Sequence, residues 1–450
     1  MSYLVVGAGI SGLGAANLLC ELGENVVLYD KNKEKLLSVA NAGLINSAAE
    51  PCTKNLYKAV KCSECIVLSP GVNLDNKTQK LIHEKNIKLI SEVELGAMHT
   101  NANIVAITGT NGKTTTTLLT THILKKAGKN AQAVGNVGVS ICSVVHSTSK
   151  NNLLICEVSS FQLQHTMHFC PHISVFLNFA PDHLNVHKNV SEYLQAKKKI
   201  FANQTSANFA IFNYDDEIVR NMAKECNAKI IFISTKENLE NSQNSAWIND
   251  NIMHIKIDNK SYQITLKNKA LANGPNKYNT LAACTIALLY NVLPQEIGNA
   301  LLDFKLPAHR CEYFAKIDGI WFVDDSKATN IHATKSAIQS IDAPIVLMLG
   351  GSDKGESFDE FLHNLAHNVK LVVTFGKMGK KIFKLCQKYL IPSIYQKDLS
   401  LAVAKAKENA CSGDVVLFSP ACASFDKFSS YQERGEFFKY LVNGETIAKN

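Results

Sequence analysis

The chain has 450 residues, of which 46% are hydrophobic and 19% charged, enough for about three domains that each bury a core. Its net charge of +8 comes without a long Lys/Arg block, which argues against nucleic acid as a partner and suits small anions carrying phosphate or carboxylate. The 13 cysteines are odd in number and irregular in spacing, so free thiols are expected rather than a disulfide framework, and no apolar run reaches the roughly 18 residues of a membrane span.

The chain opens MSYLVVGAGISGLG, which reads as a strand and not as a basic leader before an apolar stretch, so a soluble cytoplasmic protein is expected. Short apolar, β-branched runs then recur at residues 3–6, 26–29, 66–68, 104–107, 153–155 and 175–177, and again at 210–212, 230–233, 320–323, 345–349, 371–374 and 415–418. Runs of this length, bounded by Gly, Asn, Pro or Asp and alternating with helical segments, predict buried parallel strands and an α/β fold. Residues 252–257 and 262–266 alternate instead, which predicts an antiparallel hairpin at a sheet edge. A helix is predicted over 276–290, and 304–310, with Pro307, reads as a hinge. Two Gly-rich turns lie far apart, near Gly7 and Gly109, and each should open its own anion-binding unit. The expected domains are therefore 1–94, 95–303 and 304–450.

Five segments carry chemistry. Gly7-Ala8-Gly9-Ile10-Ser11-Gly12 follows a strand, with Asp30 about twenty residues on, as in a dinucleotide fingerprint. Its glycines admit a pyrophosphate to backbone amides, and a bare strand-to-helix turn is the plain alternative. Ile107-Thr108-Gly109-Thr110-Asn111-Gly112-Lys113-Thr114 resembles a P-loop without its first glycine. Gly109 and Gly112 allow a nest of amides, Lys113 can neutralise phosphate, and the Thr114 hydroxyl can ligate Mg²⁺. Glu157 ends a strand, followed by Ser159 and Gln162, where a carboxylate can face a metal ion. The fourth segment holds Asp182, His183 and His187, then Lys197, Lys198 and Lys199; such lysines are ordinarily a solvated helix face. The fifth is Arg310 with three strand-ending loops at 324–330, 350–355 and 419–426, placed where open α/β sheets bind ligands. Zinc is disfavoured: Cys62/Cys65 and the His165/His168, His183/His187 and His363/His367 pairs lack further ligands at a telling spacing.

Taken in order, these motifs resemble the Mur ligase family along nearly the whole chain. Asp324-Asp325-Ser326-Lys327-Ala328-Thr329-Asn330 and Ser419-Pro420-Ala421-Cys422-Ala423-Ser424 resemble its D-glutamate-adding member in particular. The resemblance implies a Rossmann-like N-terminal domain, a central P-loop-like ATPase domain with a mostly parallel sheet, and a Rossmann-like C-terminal domain. It implies a ligase that uses ATP and two Mg²⁺ ions to add D-glutamate to UDP-N-acetylmuramoyl-L-alanine through an acyl phosphate, acting as a monomer.

By the same resemblance, Gly7, Gly9, Ile10, Ser11, Gly12, Asp30, Ser69, Pro70 and Gly71 would bind the UDP part of the substrate, with Asn136, Ser159 and Gln162 on its remainder. ATP would lie on Gly109, Thr110, Asn111, Gly112, Lys113, Thr114 and Thr115, with Asn276 and Asn279 at the adenine, Asp325 at the ribose, and Arg310. Thr114, Glu157, His183 and Lys197, the last as a carbamate, would hold the metal ions; Lys113, His183 and Lys197 would be catalytic. Lys327, Thr329, Lys354, Ser424 and Tyr431 would take D-glutamate. The chain departs from the family at Pro275, where His is usual, and at Asn185, where Asp is common. An NAD-dependent oxidoreductase would leave the Lys113 turn unexplained, and a folylpolyglutamate synthase should lack the N-terminal glycine motif.

Overall fold

The computed structural model describes residues 2–41, 43, 49–52, 56–182, 187–272, 274, 276–353 and 355–444. Three sheets follow one another along the chain. The first is all parallel: β1 (Ser2–Val6), β2 (Asn25–Tyr29), β3 (Ala49–Cys52), β4 (Cys65–Leu68) and β5 (Lys88–Ser91), in the order β3-β2-β1-β4-β5. The order reverses between β1 and β4, the crevice where doubly wound sheets bind nucleotides.

The second sheet comprises β6 (Asn103–Thr108), β7 (Ala131–Gly135), β8 (Leu153–Glu157), β9 (Ile173–Phe176), β10 (Phe209–Asn213), β11 (Lys229–Ser234), β12 (Ser245–Asn249), β13 (Ile252–Ile257) and β14 (Lys260–Thr265). Its order is β14-β13-β12-β11-β10-β9-β6-β8-β7, parallel throughout except for the antiparallel edge β12-β13-β14. The expected hairpin is β13 and β14 at that edge. The third sheet comprises β15 (Glu312–Ile317), β16 (Ile320–Asp324), β17 (Ile345–Gly350), β18 (Val369–Phe375), β19 (Ser393–Tyr395) and β20 (Val415–Phe418), in the order β15-β16-β20-β17-β18-β19. Here only β15 runs antiparallel.

The central strands are apolar on both faces: β8, β17 and β20 are buried at every residue. That is why they stand out in the sequence. Strands β3, β5, β7, β12, β15 and β19 do not. β15 is a half-exposed edge strand, β19 has three residues, and β7 is Ala- and Gly-rich; tertiary pairing rather than composition makes them strands. The predicted central helix is Asn276–Leu289.

By contacts the chain divides into two compact units. The first combines Met1–Phe179, Lys188–Asn268 and Lys277–Phe304, and holds the first two sheets. The second combines Ala180–His187, Lys269–Asn276 and Lys305–Asn450, and holds the third. Residue 94 lies inside the helix Glu92–His99, which runs between the first and second sheets. That helix is buried along its first five residues; Glu92 Oε1 accepts from Ser140 Oγ at 2.5 Å and Cys142 N at 3.0 Å, and burial raises its carboxyl pKa. Among the described residues, no helix is long and apolar enough to cross a membrane.

Candidate active site

In the first unit, the glycine motif sits at the β1/β4 switch point. Gly7 takes φ +105°, a conformation that favours glycine, and a Cβ on Gly12 would lie 1.7 Å from Gly7 O. Helix Ile10–Glu21 can therefore pack on the turn only with glycine at position 12. Asp30 Oδ2 accepts from Ala8 N at 2.8 Å, and Ser69 Oγ donates to Gly7 O at 3.2 Å. Ser69-Pro70-Gly71 turns back on itself, with Val72 N on Ser69 O and Gly71 at φ +77°. The structure brings the motif, Asp30 and the Ser69 turn together at one place. Ile10 is 73% exposed there, an apolar side chain standing open at the crevice.

The P-loop-like turn joins β6 to the helix Lys113–Lys126, whose N-cap, Gly112, is left-handed at φ +87°. Asn178, beyond β9, braces it: Asn178 Oδ1 accepts from Asn111 N at 2.8 Å, its Nδ2 donates to Asn111 O at 3.0 Å, and its carbonyl accepts from Thr110 N. Lys113 curls back over the turn, with Nζ 2.8 Å from both Gly109 O and Thr110 O. Lys197 comes from the helix Val190–Lys198, only 1% exposed, and its Nζ donates to the same Gly109 O at 2.8 Å and to Thr108 Oγ1 at 3.3 Å. The ammonium also lies 4.9 Å from the centre of the Tyr193 ring. Two cationic groups thus converge on one carbonyl. Burying an ammonium is costly unless it is well partnered, so Lys197 is not part of the solvated face expected of a lysine run.

Glu157 closes the neighbouring strand. β6 and β8 are paired with Ile107 opposite Glu157, which puts the carboxylate beside the turn. It is 2% exposed; Oε1 accepts from Asn136 Nδ2 at 2.8 Å, and Oε2 has no hydrogen-bond partner among the described residues. A buried carboxylate oxygen without a partner calls for an explanation, and Glu92 Oε2 shares the feature among the described residues. Asn136, expected at the substrate, is held by Glu157. Ser159 and Gln162 make a capping box on the helix Ser160–Gln164, and Gln162 Nε2 is left without a partner among the described residues. Asn279 Oδ1 accepts from Thr116 Oγ1 at 3.2 Å and stands where a Cβ on Gly112 would fall, so this side chain props the turn. Thr115 is 3% exposed, whereas Thr114 faces partly outward at the first turn of the helix.

In the second unit, the expected site residues lie where β16, β17 and β20 end. Asp325 Oδ2 accepts from Ser419 Oγ at 2.7 Å and Oδ1 from Cys311 N at 3.2 Å. Burial pushes its carboxyl pKa up to about 7, against the lowering effect of those bonds. Arg310 is half-buried next to Cys311. Lys327 Nζ sits 4.0 Å above the Tyr431 ring, which joins two of the expected glutamate-binding residues. Thr329 is half-buried and Ser424 is 2% exposed on the neighbouring loops. Asn276 donates to Ala270 O at 3.1 Å. Asp182 Oδ2 accepts from Asn330 Nδ2 at 3.1 Å, tying the Asp-His segment to this unit. His183, Lys354, Asn185 and Pro275 lie outside the described residues.

Among the described residues one group of three candidate metal ligands gathers, His309, Glu312 and Asp324. A cation is already there: Lys439 Nζ lies 2.8 Å from Glu312 and 3.8 Å from Asp324. His309 Nδ1 is 2.6 Å from Asp324 Oδ2, and its backbone carbonyl accepts from Lys327 N. His309 and Arg434 were not singled out from sequence. Each acts by bracing a loop, which needs only a well-placed polar group and leaves no motif.

The chain matches two family descriptions in its second and third sheets: "Mur ligase middle domain" over residues 107–287 and "Mur ligase, glutamate ligase domain" over 309–422. Residues 1–152 match "Alanine dehydrogenase/PNT, C-terminal domain". It is 38% identical over 445 residues to a UDP-N-acetylmuramoylalanine--D-glutamate ligase of Caldicellulosiruptor saccharolyticus, covering 98% of each chain. It is 36% identical over 443 residues to a protein of the same description from Clostridioides difficile, again with 98% of each covered. Among solved structures it is similar to the UDP-N-acetylmuramate-alanine ligase of Thermotoga maritima, with a TM-score of 0.61, 17% identity, and 99% and 100% of the two chains covered.

Proposed function

The chain belongs to the Mur ligase family, among the UDP-N-acetylmuramoylalanine--D-glutamate ligases, and on that premise we propose a division of labour among its residues. The enzyme uses ATP to add D-glutamate to UDP-N-acetylmuramoyl-L-alanine in peptidoglycan precursor synthesis. A free carboxylate is a poor electrophile because oxide would have to leave. Its attack on the ATP γ-phosphorus forms a carboxyl–phosphate bond and expels ADP. The D-glutamate nitrogen then attacks the activated carbonyl, phosphate leaves, and the nitrogen gives up a proton as the amide forms.

The observation that carries the assignment of the phosphoryl-transfer site is the convergence of Lys113, Lys197 and buried Glu157 on the Gly109 turn. Lys113 would follow the γ-phosphate and offset its growing charge. The orphaned Glu157 Oε2, with the Thr114 hydroxyl, fits Mg²⁺, an oxygen-seeking cation. When bound, such ions screen the phosphates and polarise the transferring group. His183 and Lys197 would complete that set, Lys197 as a carbamate that exchanges a buried positive charge for two acceptor oxygens. Asp325 would bond the ribose, Asn276 and Asn279 the adenine side, and Gly7–Gly12 with Ser69–Gly71 the UDP pyrophosphate. Lys327, Thr329, Lys354, Ser424 and Tyr431 would receive D-glutamate. A cytoplasmic monomer is consistent with soluble substrates.

The test is phosphate release by the purified protein with ATP, Mg²⁺ and UDP-N-acetylmuramoyl-L-alanine, comparing D-glutamate, L-glutamate and no amino acid, with the product weighed. Release that depends on D-glutamate, with a product one glutamate residue heavier, is the expected result. Release that ignores the amino acid supplied would overturn it.

A further inference from the structure

Arg434 is fully buried at 0% exposed and heads the buried side chains of the described residues by size. It enters from the helix Tyr431–Asn443, one turn past the Ser430 N-cap. Its Nε donates to Ser326 Oγ at 3.0 Å and its Nη2 to Ser326 O at 2.7 Å. Nη1 donates to Cys422 O at 3.0 Å and Ala423 O at 3.1 Å. Ala423 O also accepts from Ser352 N at 2.8 Å, and a Cβ on Gly351 would stand 3.0 Å from Nη1. Ser326 Oγ closes the ring by donating to Tyr431 O at 2.8 Å. One guanidinium therefore lies under the loops that leave β16, β17 and β20, and it is anchored in the helix that begins at Tyr431.

The neighbours of these anchor atoms matter. Ser326 precedes Lys327, Ala423 precedes Ser424, and Ser352 lies two residues before Lys354. We propose that Arg434 is a positioning residue for the D-glutamate acceptor: by holding Ser326, Cys422 and Ala423 to one guanidinium, it sets the spacing of Lys327, Ser424 and Tyr431. The proposal rests on the assignment of those residues to D-glutamate made above.

Two physical points favour arginine here. Its planar fork offers five N–H donors in fixed directions, whereas a lysine at the same place offers three on a point charge. All the hydrogen-bond partners given above are neutral oxygens, while Asp426, Asp324 and Asp325 act on the charge only through space. Burial lowers the guanidinium pKa to about 10, so it stays charged at neutral pH and favours an anionic amino acid at the same loops. Asp325 has its own supports, in Ser419 Oγ, Cys311 N and the bond from its amide to Phe418 O, so the ribose contact should be insulated from Arg434.

The full-length enzyme, Arg434→Lys and Ser326→Ala should be compared by thermal melting and by KM and kcat for each substrate. Arg434→Lys is expected to raise the KM for D-glutamate about tenfold or more, with the KM for ATP within about twofold. Ser326→Ala, which keeps the charge and loses the Arg434 Nε anchor together with the Ser326 Oγ–Tyr431 O bond, should give a smaller rise in the same constant, and it carries the test if Arg434→Lys does not fold. Unchanged D-glutamate constants in a folded variant overturn the proposal. So does an equal rise in all three KM values, which would mark a merely structural role. A wild-type enzyme that ignores D-glutamate instead sinks the functional assignment and this proposal with it.

Discussion

Glu157 and Asp325 are both buried carboxylates, yet their surroundings set them to different tasks. Glu157 keeps one oxygen without a partner among the described residues, beside the Gly109 turn. Glu157→Gln should leave the melting temperature near wild type and cut turnover roughly a hundredfold or more, because an amide is a poor cation ligand. Turnover close to wild type would remove Glu157 from the metal site. Asp325 has its pKa raised to about 7 by burial. In the folded state it therefore holds a proton that the unfolded chain has lost once the pH exceeds about 4. Its contribution to stability is lost as pH rises from about 4 to 7 and stays lost above that. Asp325→Asn should then gain more melting temperature over wild type at pH 8 than at pH 5, by roughly 2–4 °C for each kcal/mol recovered. A pH-independent difference would show that the carboxyl is ionised in the fold at both values.

At the scale of elements, the strand–turn–helix unit beginning at β1 depends on a close approach that no side chain permits. The Cβ of Gly12→Ala would meet Gly7 O at 1.7 Å, against backbone that cannot swing aside. The turn must open or the helix Ile10–Glu21 must shift, at a cost of about 1–3 kcal/mol. The expected outcome is a lower melting temperature together with a raised KM for the UDP substrate and an unchanged KM for ATP. Equal weakening of both nucleotides would place the glycine motif outside the UDP site. The motif was legible because its glycines carry the constraint themselves. The edge strands β15 and β19 were not, because an exposed edge needs little apolar patterning and is defined by its neighbour.

At the scale of the molecule, the second unit is not one continuous stretch. Ala180–His187 and Lys269–Asn276 belong to it, and Asn330 reaches 148 residues back to Asp182. A fragment of residues 305–450 loses that hydrogen bond to a carboxylate, a cost of about 1.5–3 kcal/mol. Scanning calorimetry should show the fragment melting below the corresponding transition of the full chain. Adding the two missing segments as peptides should not restore it fully, since the covalent connection is gone. Equal melting temperatures would mean that the Asp182–Asn330 bond adds nothing.

The sequence alone determined the α/β class, the parallel central strands, the edge hairpin and the sharp glycine turns. It did so because buried strands, phosphate turns and sharp glycine turns are enforced locally by the residues that form them. Tertiary structure alone decided that Lys197 is buried against Gly109 and not a solvated lysine, that Asn136 binds Glu157, and that Glu157 retains an unpaired oxygen. It alone decided that Arg434, an unremarked arginine on a helix, lies beneath three loops. These depend on which distant side chain or carbonyl faces a given atom, and a hydrogen bond between residues a hundred positions apart leaves no periodicity or spacing in the chain.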